Sequence, residues 1–186
     1  MKRLIILSVI FLIVGCSSSL PNKTYYQLTS DFSDSTRLQP RKVTDVIFID
    51  NVKVANYLDK NGIVYQIDNI KYVTANNNLW LTPLSDQIKQ RLLQDLSILL
   101  PNYLITAQPS LSPKASIKLY IESFHGVDTG DAVIKGYWLI SNTKGVITKP
   151  FDYTLRLAND GYTALVNTLS LGWQEEEIDL VKNVKF

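Results

Sequence analysis

The sequence predicts an α+β fold, an antiparallel-rich sheet with two helices packed on one face. Three patterns carry that expectation. "ASIKLYIESF" (residues 115–124) alternates, with Ile117, Leu119 and Ile121 on one side and Ser116, Lys118 and Glu122 on the other. Two more strand-like runs follow it across short turn sequences, as an antiparallel meander requires. Two stretches instead repeat apolar residues at helical spacing, one central and one near the C-terminus.

Taken in order, "TYYQL" (24–28) reads as a short strand, and the polar run 29–42 as a loop. The β-branched "VTDVIFIDNVKV" (43–54) partly alternates and reads as a strand. "GIVYQI" (62–67) and "IKYVT" (70–74) flank Asp68-Asn69, a plausible tight turn. A helix follows, with Thr82 as cap, Pro83 at the first helical position and Asp86 near the positive end of the dipole. Its stripe is Leu84, Ile88, Leu92, Leu96 and Leu99, with Asp86, Gln87, Gln90, Gln94 and Ser97 opposite, and Pro101 ends it. "YLITAQ" (103–108) is the next strand. The meander then runs through 115–124, 131–141 and 146–157, with turns at 126–130 and 142–145. The last helix opens near Asp160-Gly161 with Tyr162, Leu165, Val166, Leu169 and Trp173 on one side. Gly172 and the Glu175-Glu176-Glu177 run interrupt that stripe, and the glutamates read as a solvated face.

The N-terminus has a different character. Met1-Lys2-Arg3 is a positive head, and residues 4–14 are apolar apart from Ser8. As a helix the run would rise about 16 Å, against a bilayer core of roughly 30 Å. It is too short to span but fits a secretory signal. Where a small-residue cleavage site is expected, the chain reads Ile13-Val14-Gly15-Cys16, and Cys16 is its only cysteine. An aliphatic residue, a small residue and then cysteine resemble the bacterial lipobox, in which the cysteine is acylated and becomes the first residue. The expected division is a 1–15 lipoprotein signal peptide, a 16–23 lipidated tether and a single 24–186 periplasmic domain.

Composition narrows the function classes. The chain has 19 Lys plus Arg and 17 Asp plus Glu, and Lys2 and Arg3 leave with the signal, so 17 of each remain. A balanced domain has no basic footprint for nucleic acid. The single histidine, His125, reads as a turn or edge residue, since no ligand-type partners stand at metal-site spacing. Asp128 and Asp131 fall in a turn and lack the EF-hand pattern. No G-x-S-x-G elbow or glycine-rich phosphate loop occurs. No catalytic residue, metal or cofactor is therefore expected, and the chain does not read as an enzyme. Its unusual content is aromatic, with 10 Tyr and 3 Trp. Tyr57 and Trp80 are candidates either for the core or for a protein interface.

The segment "VKVANYLDKNGIVYQIDNIKYVTANNNLWLTPLSDQIKQRLLQDLSILLP" resembles the signature region of the PqiC/YmbA lipoproteins, the ABC-type transport auxiliary lipoproteins. Tyr57-Leu58-Asp59, Ile63-Val64-Tyr65-Gln66, Trp80 and Pro83-Leu84 fill the family's places, and Cys16, Tyr25-Tyr26 and Leu28 agree. Leu79 stands where that pattern has a charged or polar residue. The resemblance implies an outer-membrane lipoprotein facing the periplasm, a non-catalytic ring-forming subunit that docks on a periplasm-spanning MCE-domain partner in intermembrane phospholipid transport. It makes Tyr57, Leu58, Trp80, Pro83 and Leu84 candidate interface or structural residues. Ser17 after Cys16 points the same way, because aspartate there favours inner-membrane retention. The alternatives are a lipoprotein of another envelope assembly, such as secretion or lipopolysaccharide export, and a periplasmic hydrolase.

Overall fold

The computed structural model describes residues 22–32, 42–109 and 112–186. Cys16, the signal and nearly all of the tether lie outside the described residues, as does 33–41 of the polar loop. Eight strands and two helices follow in the order β1 (Thr24–Tyr26), β2 (Asp45–Val54), β3 (Gly62–Gln66), β4 (Tyr72–Trp80), α1 (Leu84–Leu99), β5 (Tyr103–Thr106), β6 (Ala115–Val127), β7 (Asp131–Asn142), β8 (Gly145–Arg156) and α2 (Tyr162–Asn183).

The sheet is organised around β6. One edge of β6 pairs with β7 from Ala115↔Asn142 to Val127↔Asp131. Its other edge is shared: the first half pairs with β2, and Gly126 and Val127 pair with Tyr65 and Gln66 of β3. The sheet thus forks, with β5 outside β2 on one branch and β4 then β1 outside β3 on the other. Four of these seven pairings are parallel, β1–β4, β2–β5, β2–β6 and β3–β6. The expectation of an antiparallel-rich sheet is therefore corrected to a mixed, α+β one. Hairpins join chain neighbours antiparallel, whereas β2 and β3 meet a strand that returns only after a long crossover, and such a return can run parallel.

Two bulges explain why alternation in the long strands is imperfect. Ile47 and Ile49 are buried, Asp50 is the extra residue, and burial resumes at Val52 and Val54. In β6 the extra residue is Glu122, after which Phe124 and Gly126 replace the odd-numbered series on the inner face. Opposite the second bulge stands Gly136, where a Cβ would sit 2.1 Å from the Tyr120 carbonyl oxygen. Only glycine permits that approach.

Helix α1 packs on β2 and β5, α2 packs on β6, β7 and β8, and the helices touch each other. The α1 stripe is as expected at Leu84, Ile88, Leu92 and Leu96, all at most 1 % exposed. Its start differs: Pro83 itself occupies the cap position, with an extended ψ of 138°, and no side chain caps the helix. Gln87 is also buried rather than on the wet side. Helix α2 runs unbroken to Asn183. Gly172 marks its closest approach to the sheet, since a Cβ there would lie 2.4 Å from Leu155 and 2.6 Å from Ile134.

Glu176 and Glu177 are fully buried, which corrects the solvated-face expectation. They stand three and four residues after Trp173, on the helix's inward side. His125 is likewise not an edge residue but lies inside β6, 1 % exposed. Gly126 faces α2 at Leu165, so His125 faces the opposite side of the sheet. There the 55–61 loop folds over it, burying Leu58 and laying the Tyr57 ring 6.1 Å from the imidazole.

Candidate interaction surfaces

Three polar arrangements hold the helix layer together. In the first, Glu176 is the hub. Its Oε1 accepts from Trp138 Nε1 and from Lys149 Nζ (2.8 Å), and its Oε2 accepts from Tyr153 OH (2.9 Å). Lys149 also pairs with Asp179 at 2.8 Å. Burial works against the Lys149 charge, but Asp179 and Glu176 outweigh it and raise its pKa. Burial first, then the neighbouring Glu176, pushes the Tyr153 phenol well above its ordinary range. A buried charge satisfied by three donors is a structural group.

The second lies between the helices. Trp173 Nε1 donates to Glu177 Oε1 at 2.9 Å, and Arg91 donates to Asp95 Oδ1 at 3.0 Å. Burial, then the Asp95 charge and a hydrogen bond to Asp95, raise Glu177 well above the usual carboxylate range. Glu177 of α2 thus meets Asp95 of α1 where the two helices touch.

The third ties down the N-terminal strap. The amide of Leu28 donates to Gln87 Oε1 (2.9 Å), that of Thr29 to Ser170 Oγ (3.2 Å) and that of Asp31 to Gln174 Oε1 (3.0 Å). Gln87 Nε2 also donates to the Thr82 carbonyl at 2.9 Å. The strap therefore crosses both helices, held by side chains that the sequence reading placed in solvent or left unassigned.

No group of three His, Cys, Asp or Glu able to hold a metal occurs among the described residues. Burial lowers the pKa of His125, against the weaker opposing effect of its bond to the Gly126 carbonyl. On the face away from the helices, Tyr120 and Tyr137 stack 4.8 Å apart, 8° from parallel. A groove of about 540 Å³ lies on one side of the pair and one of about 400 Å³ on the other, with Glu122 lining both. A third cleft, about 290 Å³, opens at the start of α2 between Tyr65, Leu157, Tyr162 and Leu165.

The sequence-selected residues divide by burial. Leu58, Trp80 and Leu84 are at most 4 % exposed and belong to the core, so none offers contact area itself. Pro83 is exposed at the start of α1. Tyr57 is half-buried, its ring 5.1 Å from Tyr72 and its hydroxyl donating to the Glu122 carbonyl at 2.8 Å. Of the five, only Tyr57 and Pro83 reach the surface. Reading missed Tyr120 and Tyr137, although alternation in β6 and β7 already put both on the uncovered side.

Comparison with known proteins agrees with this architecture. Residues 26–178 match the family model described as the ABC-type transport auxiliary lipoprotein component. The intermembrane transport lipoprotein PqiC of Escherichia coli is 33 % identical over 187 aligned positions, spanning 100 % of this chain and 98 % of that protein. The PqiC of Shigella flexneri gives the same values. A crystal structure of an uncharacterized protein superposes with a TM-score of 0.77 at 33 % identity, covering 88 % of this chain and 99 % of the other. A protein from Xanthomonas campestris shares the fold alone, with a TM-score of 0.67 at 13 % identity over 85 % of this chain and 92 % of its own. With the family model covering most of the domain and a relative matching from end to end, the chain belongs to the ABC-type transport auxiliary lipoproteins.

Proposed function

We propose that the protein is an outer-membrane lipoprotein, acylated on Cys16 and facing the periplasm, that serves as a non-catalytic docking subunit in intermembrane lipid transport. The observation that carries this reading is the end-to-end likeness to intermembrane transport lipoproteins, joined to the lipobox at Cys16. In this reading several copies form a ring that receives the end of a periplasm-spanning MCE-domain protein, and the ring fixes and seals the outer-membrane end of a conduit for phospholipid. The buried carboxylates fit such a role, because Glu176 and Glu177 are consumed in packing. A single acyl chain gives only reversible membrane attachment, whereas the lipobox modification adds a diacylglyceryl group and an amide-linked chain, a durable anchor.

Two measurements test it. Cys16→Ser should abolish incorporation of radiolabelled palmitate, and equal label in variant and parent removes the lipoprotein reading. The parent, extracted in mild detergent, should run as an oligomer and bring an MCE-domain protein with it on purification. A monomer that captures no such protein removes the docking reading.

A further inference from the structure

Four of the large hydrophobic side chains that the fold leaves exposed fall within one seven-residue stretch, Ile67, Ile70, Tyr72 and Val73, at the β3–β4 hairpin. Ile70, at its tip, is 84 % exposed, more than any other. Tyr72 is braced from beneath by Tyr57 and by His125, whose rings lie 5.1 and 5.3 Å away.

The turn carrying these side chains is closed on itself. Asp68 Oδ1 accepts from the amides of Ile70 and Lys71, both at 2.8 Å, and Oδ2 pairs with Lys71 Nζ at 3.0 Å. Gln66 Nε2 donates to the Asp68 carbonyl at 2.8 Å, and the Ile67 amide donates to the Lys71 carbonyl at 2.9 Å. The amides of Ile67, Ile70 and Lys71 are thus satisfied within the turn, and the Asp68 carboxylate is paired with Lys71. A segment that leaves bulk water for a less polar medium needs both.

Strand β1 shows which way the hairpin points relative to the anchor. It runs parallel to β4 with Thr24 opposite Asn78, so the chain upstream of Thr24 leaves toward the hairpin. Cys16 lies eight residues before Thr24, and Ile70 lies eight residues before Asn78. Eight extended residues span at most about 29 Å. The same number in a strand rises about 26 Å. An extended tether of that length is therefore long enough to bring the anchor to the level of the hairpin tip.

We infer that the β3–β4 hairpin tip seats in the interfacial layer of the bilayer that holds the Cys16 lipid, a second, non-covalent contact that sets the orientation of the domain. It rests on the lipid-anchor reading given above. Tyr72 has the amphipathic ring that favours such a layer. The β6–β7 turn at the same end carries Asp128 and Asp131, with Asp160 nearby, so attraction to anionic headgroups does not drive the contact. It is apolar in origin and does not weaken with salt.

The test uses the full acylated protein in phosphatidylethanolamine–phosphatidylglycerol vesicles. Cys16 is the only native cysteine and its thiol is consumed by the lipid, so Ile70→Cys takes a nitrobenzoxadiazole probe at one site. Lys144→Cys, in the β7–β8 turn at the opposite end of the sheet, is the reference. Lipids brominated about 5–10 Å below the headgroups should quench the tip probe at least about twofold more than the reference, equally at low and high salt. Equal quenching at the two positions, in protein that floats with vesicles and carries the lipid mass on Cys16, overturns the hairpin contact and leaves the anchor standing. Protein that lacks the lipid mass and fails to float overturns both.

Discussion

Replacing Glu177 by glutamine removes one ionisation while keeping the shape of a fully buried group. The amide oxygen can still accept from Trp173 Nε1, and the amide nitrogen can donate toward Asp95 as the protonated carboxyl does. The charged neighbours facing this site are Asp95 and Arg91 from α1, with Trp173 supplied by α2 itself. Because the folded-state pKa is raised, folded Glu177 keeps a proton that the unfolded chain loses above about pH 4.3. Between those two values the unfolded state binds fewer protons, so stability falls as pH rises, by up to about 1.4 kcal/mol per pH unit from this group. The contribution is complete below the unfolded value and gone once pH has passed the folded one. Glu177→Gln lacks that slope. Measured by urea unfolding through tryptophan emission from pH 4 to 8, the two proteins should differ little at the acid end. The variant should gain steadily on the parent as pH rises toward neutral. An offset added at every pH to that divergence leaves the reasoning intact. Two stability curves of the same slope refute it, and would mean that Glu177 is ionised in the folded protein.

Two further substitutions probe the other buried arrangements. Glu176→Ala strands the Tyr153 hydroxyl and the Trp138 indole and leaves Lys149 with Asp179 alone, so it should cost about 3–5 kcal/mol in the same urea assay; a loss below about 1 kcal/mol would show that the hub is dispensable. Gln87→Ala orphans the Leu28 amide and the Thr82 carbonyl, so it should cost about 1–3 kcal/mol and speed hydrogen exchange at Leu28. Unchanged exchange there would mean that the strap is held elsewhere.

The local pattern of the chain was largely legible, because it depends on neighbours three or four positions apart. The α1 stripe, the β6–β7–β8 meander and the Asp68-Asn69 turn all declare themselves that way. Glu176 and Glu177 show where charge misleads: Trp173 and Leu180 frame them at helical spacing, and that spacing, not their formal charge, decided their direction. Gln87 and Asp95 repeat the lesson on α1, each one residue before a buried Ile88 or Leu96. Their partners come from distant elements, and no window of sequence displays a Trp138 waiting for a carboxylate. Strand direction was hidden for the same reason. Nothing within β2 records that its partner β6 runs alongside it in parallel, and the Asp50 bulge blurs even the alternation. Of the two readings left open for Trp80, core or interface, the structure takes the core: Tyr26 pairs opposite it, and it is buried.

The strap across the helices bears on the order of assembly. Thr29 meets Ser170 across 141 positions, and Asp31 meets Gln174 across 143. Closing a loop of that length costs about 4 kcal/mol in chain entropy, beyond a constant term, before the first contact returns anything. Such distant contacts form late in folding. A chain threaded through a membrane from its N-terminal end therefore cannot complete this domain while any part of α2 is still on the near side. The polypeptide stays slack through such a transit, and the strap is the last segment to be fastened.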